Sequence, residues 1–178
     1  MFDKLKKLIN GDFSTNKESS IFEEAESIVN EKTYSFKVAG ISNYYNNLEK
    51  IIRSLLNQGI LEKFDGYTNK EIIEYDAGMT IFEHQFIKGA KLEPYSYKEK
   101  DAIKILLPDY NDKWYEIGSV PKKDLNQVIE LLNKDKITNI EFVITGGEAK
   151  YINDDVDKPY IVEKEYDYGI LIYITYID

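Results

Sequence analysis

Three stretches of the chain alternate apolar and polar residues with a period of two. Tyr34, Phe36 and Val38 alternate with Ser35, Lys37 and Ala39. Ile140, Phe142 and Ile144 do the same further on, as do Ile170, Ile172, Ile174 and Tyr176 near the end. Successive side chains of a strand point to opposite faces, so the pattern predicts half-buried strands over Thr33–Ile41, Ile137–Thr145 and Gly169–Ile177. Two more apolar runs, Asp101–Leu107 and Trp114–Val120, flank Pro108-Asp109-Tyr110-Asn111-Asp112, a sequence of turn formers, and Ala90–Pro94 reads as a strand end. A small antiparallel barrel or sheet is the expected result.

Helical spacing appears elsewhere. Leu48, Ile51, Ile52, Leu55 and Leu56 recur at i, i+3, i+4, i+7 and i+8, which predicts a helix capped by Asn46 or Asn47 and ended by Gly59. Lys122–Asn133 predicts a second helix, with Leu125, Val128, Ile129, Leu131 and Leu132 apolar. Between them, residues 60–87 predict a short helix near Asn69–Tyr75 and a strand near Met79–Phe86. Residues 1–32 read as a helical N-terminal extension, capped by Ser19 or Ser20. Gly146-Gly147 reads as a strand break, and Glu148–Asp167 as an acidic loop.

Composition removes several chemistries. The 178 residues include no cysteine and one histidine, His84, so disulfides, thiolate metal sites and histidine-rich metal sites are excluded. Net charge is −9, which argues against strong non-specific nucleic-acid binding. The charge is uneven: Lys88–Lys123 carries eight lysines against six acids, so the remainder of the chain holds −11. The start, Met1-Phe2-Asp3-Lys4-Leu5, lacks the apolar run of a signal peptide, and no stretch approaches a membrane span. A cytoplasmic protein without membrane contact is the expectation.

Several segments taken together resemble the HIRAN domain. They are Phe36-Lys37-Val38-Ala39-Gly40-Ile41, Leu92-Glu93-Pro94 followed by Asp101-Ala102-Ile103-Lys104-Ile105, Ile117-Gly118-Ser119-Val120-Pro121-Lys122 before a helix, and Tyr168-Gly169-Ile170-Leu171-Ile172. The resemblance spans residues 33–177. It implies an α+β fold built on a small OB/SH3-like antiparallel β-barrel with helical insertions and the N-terminal helical extension. In domain terms, residues 1–32 are the extension and 33–178 the barrel domain, with an enlarged connection over 42–90.

The resemblance also implies a pocket for the free 3′ end of single-stranded DNA. Its DNA-binding residues would be Tyr44 and Tyr45 after Gly40, the segment Tyr97, Lys98, Glu99 and Lys100 before the Ala102-Ile103 pair, and Lys122 and Lys123 at the helix start. The tyrosines offer faces for base stacking, the lysines neutralise phosphate, and the helix start adds a partial positive charge. Two features depart from the family pattern. Ser42 replaces a basic residue, and Ser96-Tyr97-Lys98-Glu99-Lys100 replaces an Asn-Pro-Tyr-Asp stretch.

No motif points to catalysis. Asp154-Asp155-Val156-Asp157 lacks the glycine and terminal glutamate of a calcium loop, and Gly146-Gly147 is not followed by a phosphate-binding helix. His84 has no nucleophile motif beside it, while Trp114 and Tyr115 in a strand read as core. The expectation is a non-enzyme with no cofactor and no metal. Two main roles remain open, a nucleic-acid module for a single-stranded DNA end and a protein-interaction or adaptor domain whose pocket has changed. An acidic DNA mimic is a third.

Overall fold

The two longest strands set the frame. β7 (Ile137–Asn153) and β8 (Tyr160–Ile177) pair antiparallel along almost their whole length, from Ile137 opposite Tyr176 to Asn153 opposite Tyr160. The computed structural model describes residues 30–82, 84–97, 100–155 and 158–177. β1 (Glu31–Lys37) adds to the outer edge of β8, with Phe36 opposite Ile172. On the other side of β7 lie two short strands, β2 (Met79–Thr80) and β3 (Ile87–Lys88). A second, three-stranded sheet runs β4 (Lys91–Tyr97), β5 (Lys100–Pro108) and β6 (Trp114–Ser119). The architecture is mostly antiparallel β with a curled sheet and a few helices.

The core sits where the predicted alternation places it. Phe36, Phe142, Ile144, Ile170, Ile172 and Ile174 are buried from the larger sheet, and Ile103, Ile105, Leu107 and Ile117 from the smaller one. Ala102 is half-buried at the surface, so the interior of the second sheet is made by its isoleucine and leucine neighbours. Helix α1 (Tyr45–Asn57) buries Leu48, Ile51, Ile52 and Leu55 and packs on β6. Its N-cap is Tyr44 rather than Asn46 or Asn47, which lie inside the helix. α2 (Asn69–Glu74) is shorter and is closed by a capping box, in which Thr68 and Glu71 satisfy each other's backbone amides. α3 (Leu125–Asn133) buries Val128 and Leu131 and starts three residues later than expected, since Lys122–Asp124 form a turn.

Three expectations are corrected here. The segment Glu148–Asp167 is not an acidic loop: β7 runs to Asn153, β8 starts at Tyr160, and only a short connection lies between. Gly146 and Gly147 do not end the strand. Both have positive φ and mark a register shift at Thr145/Gly147, a bulge that lets the ladder continue. Likewise, among the described residues of the expected strand Met79–Phe86, only Met79–Thr80 are strand, and Ile81 and Phe82 lie buried in a turn. β1 begins at Glu31, and the rest of the expected N-terminal helical extension, residues 1–29, lies outside the described residues. No helix among the described residues is long and apolar enough to cross a membrane.

Candidate functional site: two clefts that meet at Tyr95

The site begins at the junction of the two sheets. Beyond β1, Ala39 and Ser119 exchange backbone hydrogen bonds at 2.9 and 3.0 Å, joining the larger sheet to β6. The approach is close enough to demand glycine at 118. A Cβ there would overlap the Ala39 carbonyl oxygen and lie 2.6 Å from Val38 Cγ1, at a φ of 146°. Gly40, at φ 80°, then turns the chain into a 3-10 segment, Ile41–Tyr44, that leads into α1.

That turn hangs Tyr44 over β6. Its hydroxyl donates to Glu116 Oε1 at 2.5 Å, and Asn47 Nδ2 donates to the Glu116 carbonyl at 2.9 Å. The hydrogen bond to the Glu116 carboxylate, followed by desolvation, pushes the Tyr44 hydroxyl up to about 12, so it stays a donor at neutral pH. Gly40, Asn43, Tyr44, Tyr95, Glu116 and Ser119 enclose a polar cleft of about 270 Å³. Lys104 lies close enough for Glu116 and Tyr95 to raise its pKa, but its main partner is Glu93, at 2.9 Å. The cleft is therefore carboxylate-floored, and its nearby ammonium is already paired.

On the far side of Tyr95 lies a groove of different character. The β4–β5 hairpin and α3 enclose about 330 Å³ lined by Pro94, Ala102, Ile103, Ile129 and Leu132 together with the polar Ser96, Asp101 and Asn133. α3 buries Val128 and Leu131, so Ile129 and Leu132 are left half-buried at the groove. Tyr95 lines both hollows and is 38% exposed, a ridge with an apolar face and a polar tip.

The residues expected to bind DNA are only partly brought together. Tyr44 lies in the polar cleft but its hydroxyl is held by Glu116. Tyr45 packs instead against Tyr168, ring centroids 6.0 Å apart. The backbones of Tyr97 and Lys100 pair across the hairpin, while Lys98 and Glu99 lie outside the described residues. Lys122 and Lys123 are exposed in the turn before α3, not on the helix itself. Asp124 is the N-cap residue of α3, but its buried side chain makes no hydrogen bond to the first amides of the helix and instead accepts from the Tyr34 hydroxyl at 2.7 Å. His84 is exposed, and Trp114 and Tyr115 are half-buried; Lys91 Nζ sits 3.8 Å from the Trp114 ring.

Sequence reading missed Tyr95 and Glu116. A usable signal was present for both. Pro94 cannot donate to a ladder, which marks β4 as an edge and leaves its neighbour open to solvent. Glu116 is the charged residue inside Trp114-Tyr115-Glu116-Ile117, where a polar partner was to be expected.

A family model described as a family of unknown function (DUF6681) matches residues 3–178. This overturns the HIRAN resemblance, for which no family match exists. The shared segments describe strand ends, a glycine at a close approach and a proline-containing turn, features that many antiparallel folds need independently. No curated protein and no solved structure matches the chain.

Proposed function

The chain belongs to DUF6681, a family of unknown function, and from its site we propose that it is a non-catalytic protein-interaction module. The observation that carries this reading is the meeting, at exposed Tyr95, of an apolar groove and a cleft floored by the Tyr44–Glu116 pair. An extended partner segment laid across Tyr95 would place a large apolar side chain against Ile129 and Leu132. Two or three residues away it would present a Lys or Arg to Glu116. Tyrosine anchors of this kind supply much of the energy of small interfaces. The two sheets joined at Ala39–Ser119 are read as a half-closed barrel of the OB or SH3 kind, which would hold the two clefts in a fixed relation.

The same features weigh against a DNA strand end. Phosphate would meet Glu116 and Glu93, and the Lys104 ammonium is already neutralised by Glu93. Short synthetic peptides with one Leu or Phe and one Lys or Arg at varied spacing test the reading by fluorescence anisotropy, alongside a dT12 strand with a free 3′ end. The expected result is saturable peptide binding at one preferred spacing, weakened by Tyr95→Ala and by Glu116→Gln. Strand binding that fades with salt and is lost on replacing Lys122 and Lys123 would overturn the reading in favour of a nucleic-acid module.

A further inference from the structure

A third hollow lies at the C-terminal half of α1, against the turn between β5 and β6. It measures about 320 Å³ and is lined by Lys50, Arg53, Ser54, Asn57, Gln58 and Asn111. We propose that it binds a small phosphorylated, hydroxyl-rich molecule of the sugar-phosphate class. No carboxylate is among its lining residues, in a chain of net charge −9. Arg53 is the one arginine in the sequence, and a guanidinium fork matches two phosphate oxygens in a way a lysine does not.

The cations are gathered by the fold. Lys50 and Arg53 lie one turn apart on the exposed side of α1, and Lys50 Nζ is 6.0 Å from the centroid of the Tyr115 ring. Lys113 Nζ is 5.2 Å from the same ring. The last turn of α1 contains no basic residue, so these charges are not simply compensating the helix dipole. The far wall is fixed by the Tyr110 amide, which donates to Ser54 Oγ at 3.2 Å.

Of the acids nearby, Asp109 is held within its own turn. Asp109 Oδ1 accepts from the amides of Asn111 and Lys113 at 2.8 and 3.0 Å, and its Oδ2 lies 3.4 Å from the donating Tyr115 hydroxyl. Asp112 is exposed in the same turn. Glu49, one turn before Arg53, shares an adjoining hollow with it and is the competing carboxylate.

The lining also selects among phosphorylated molecules. Asn57, Gln58 and Asn111 offer side-chain amides that donate and accept, which suits hydroxyl groups. No aromatic ring is among the residues that line the hollow. The volume is several times the share of a single water, about 30 Å³, so a sugar phosphate fills it better than a lone phosphate.

Amide spectra of the full chain, titrated with glucose 6-phosphate, glucose and inorganic phosphate at low ionic strength, test the proposal. Glucose 6-phosphate should move the side-chain amides of Asn57, Gln58 and Asn111 saturably, with inorganic phosphate weaker and glucose silent. Arg53→Gln should weaken binding about tenfold, the scale of one charge-assisted hydrogen bond, while Glu49→Gln should strengthen it. Tyr95→Ala should leave it unchanged, which separates this site from the peptide clefts. Saturable binding of glucose alone, equal response to phosphate and to the sugar phosphate, or an Arg53→Gln protein that is folded and binds normally would each overturn the proposal.

Discussion

Gly118 supports both the fold and the site. Its backbone passes so close to Ala39 that any Cβ must displace the carbonyl through which the two sheets are joined. Gly118→Ala is therefore expected to cost more than about 2 kcal/mol, a large value for so small a change. Urea unfolding measures it directly, and the polar cleft should be lost with it. Tyr34 poses a different case. Its hydroxyl is the hydrogen-bond donor to buried Asp124, whose other oxygen, Oδ2, has no partner among the described residues. Tyr34→Phe leaves that carboxylate buried without its donor, which is expected to cost about 1–3 kcal/mol. An unchanged unfolding midpoint would contradict the assignment.

At the scale of the element, α2 is short enough to depend on its cap. Thr68 accepts from the Glu71 amide at 3.4 Å, and Glu71 Oε2 accepts from the Thr68 amide at 2.8 Å, which holds the Glu71 carboxyl below its usual range. Thr68→Ala should cost about 1 kcal/mol, read as faster amide exchange in residues 69–74. The elements with clean periodicity were legible beforehand. β5, β6 and α1 lie within a few residues of where alternation and helical spacing put them. The distal half of the β7–β8 hairpin was not, for a physical reason. Glu148, Glu163, Lys164 and Glu165 are exposed, so charge masks the alternation, and two glycines that usually end strands here form a bulge inside one. α3 is shorter than its sequence predicts because Pro121, which suits a helix start, here opens the turn before it. The clefts were the least legible part. Tyr95, Glu116 and Gly40 are brought together by the contact between Ala39 and Ser119, 80 residues apart in the chain, which leaves no local pattern to read.

At the scale of the molecule, two tyrosines link stability to alkaline pH. Tyr34 is pushed up to about 12 by burial and then by Asp124, and Tyr44 to about 12 by Glu116 and then by burial. An unfolded phenol loses its proton near 10, so both favour the folded chain fully below pH 10. That contribution is lost as pH rises from 10 to about 12. Unfolding midpoints should fall across this window, and Tyr34→Phe combined with Tyr44→Phe should flatten the fall while lowering stability at pH 8. In the proposed interaction, the clefts on either side of Tyr95 would receive a protein segment whose cation reaches Glu116. A double-mutant cycle tests it most directly, pairing Glu116→Gln with replacement of the basic residue in a bound peptide. A coupling of about 1 kcal/mol or more is expected for a close charge pair at an interface. Losses that simply add would contradict it.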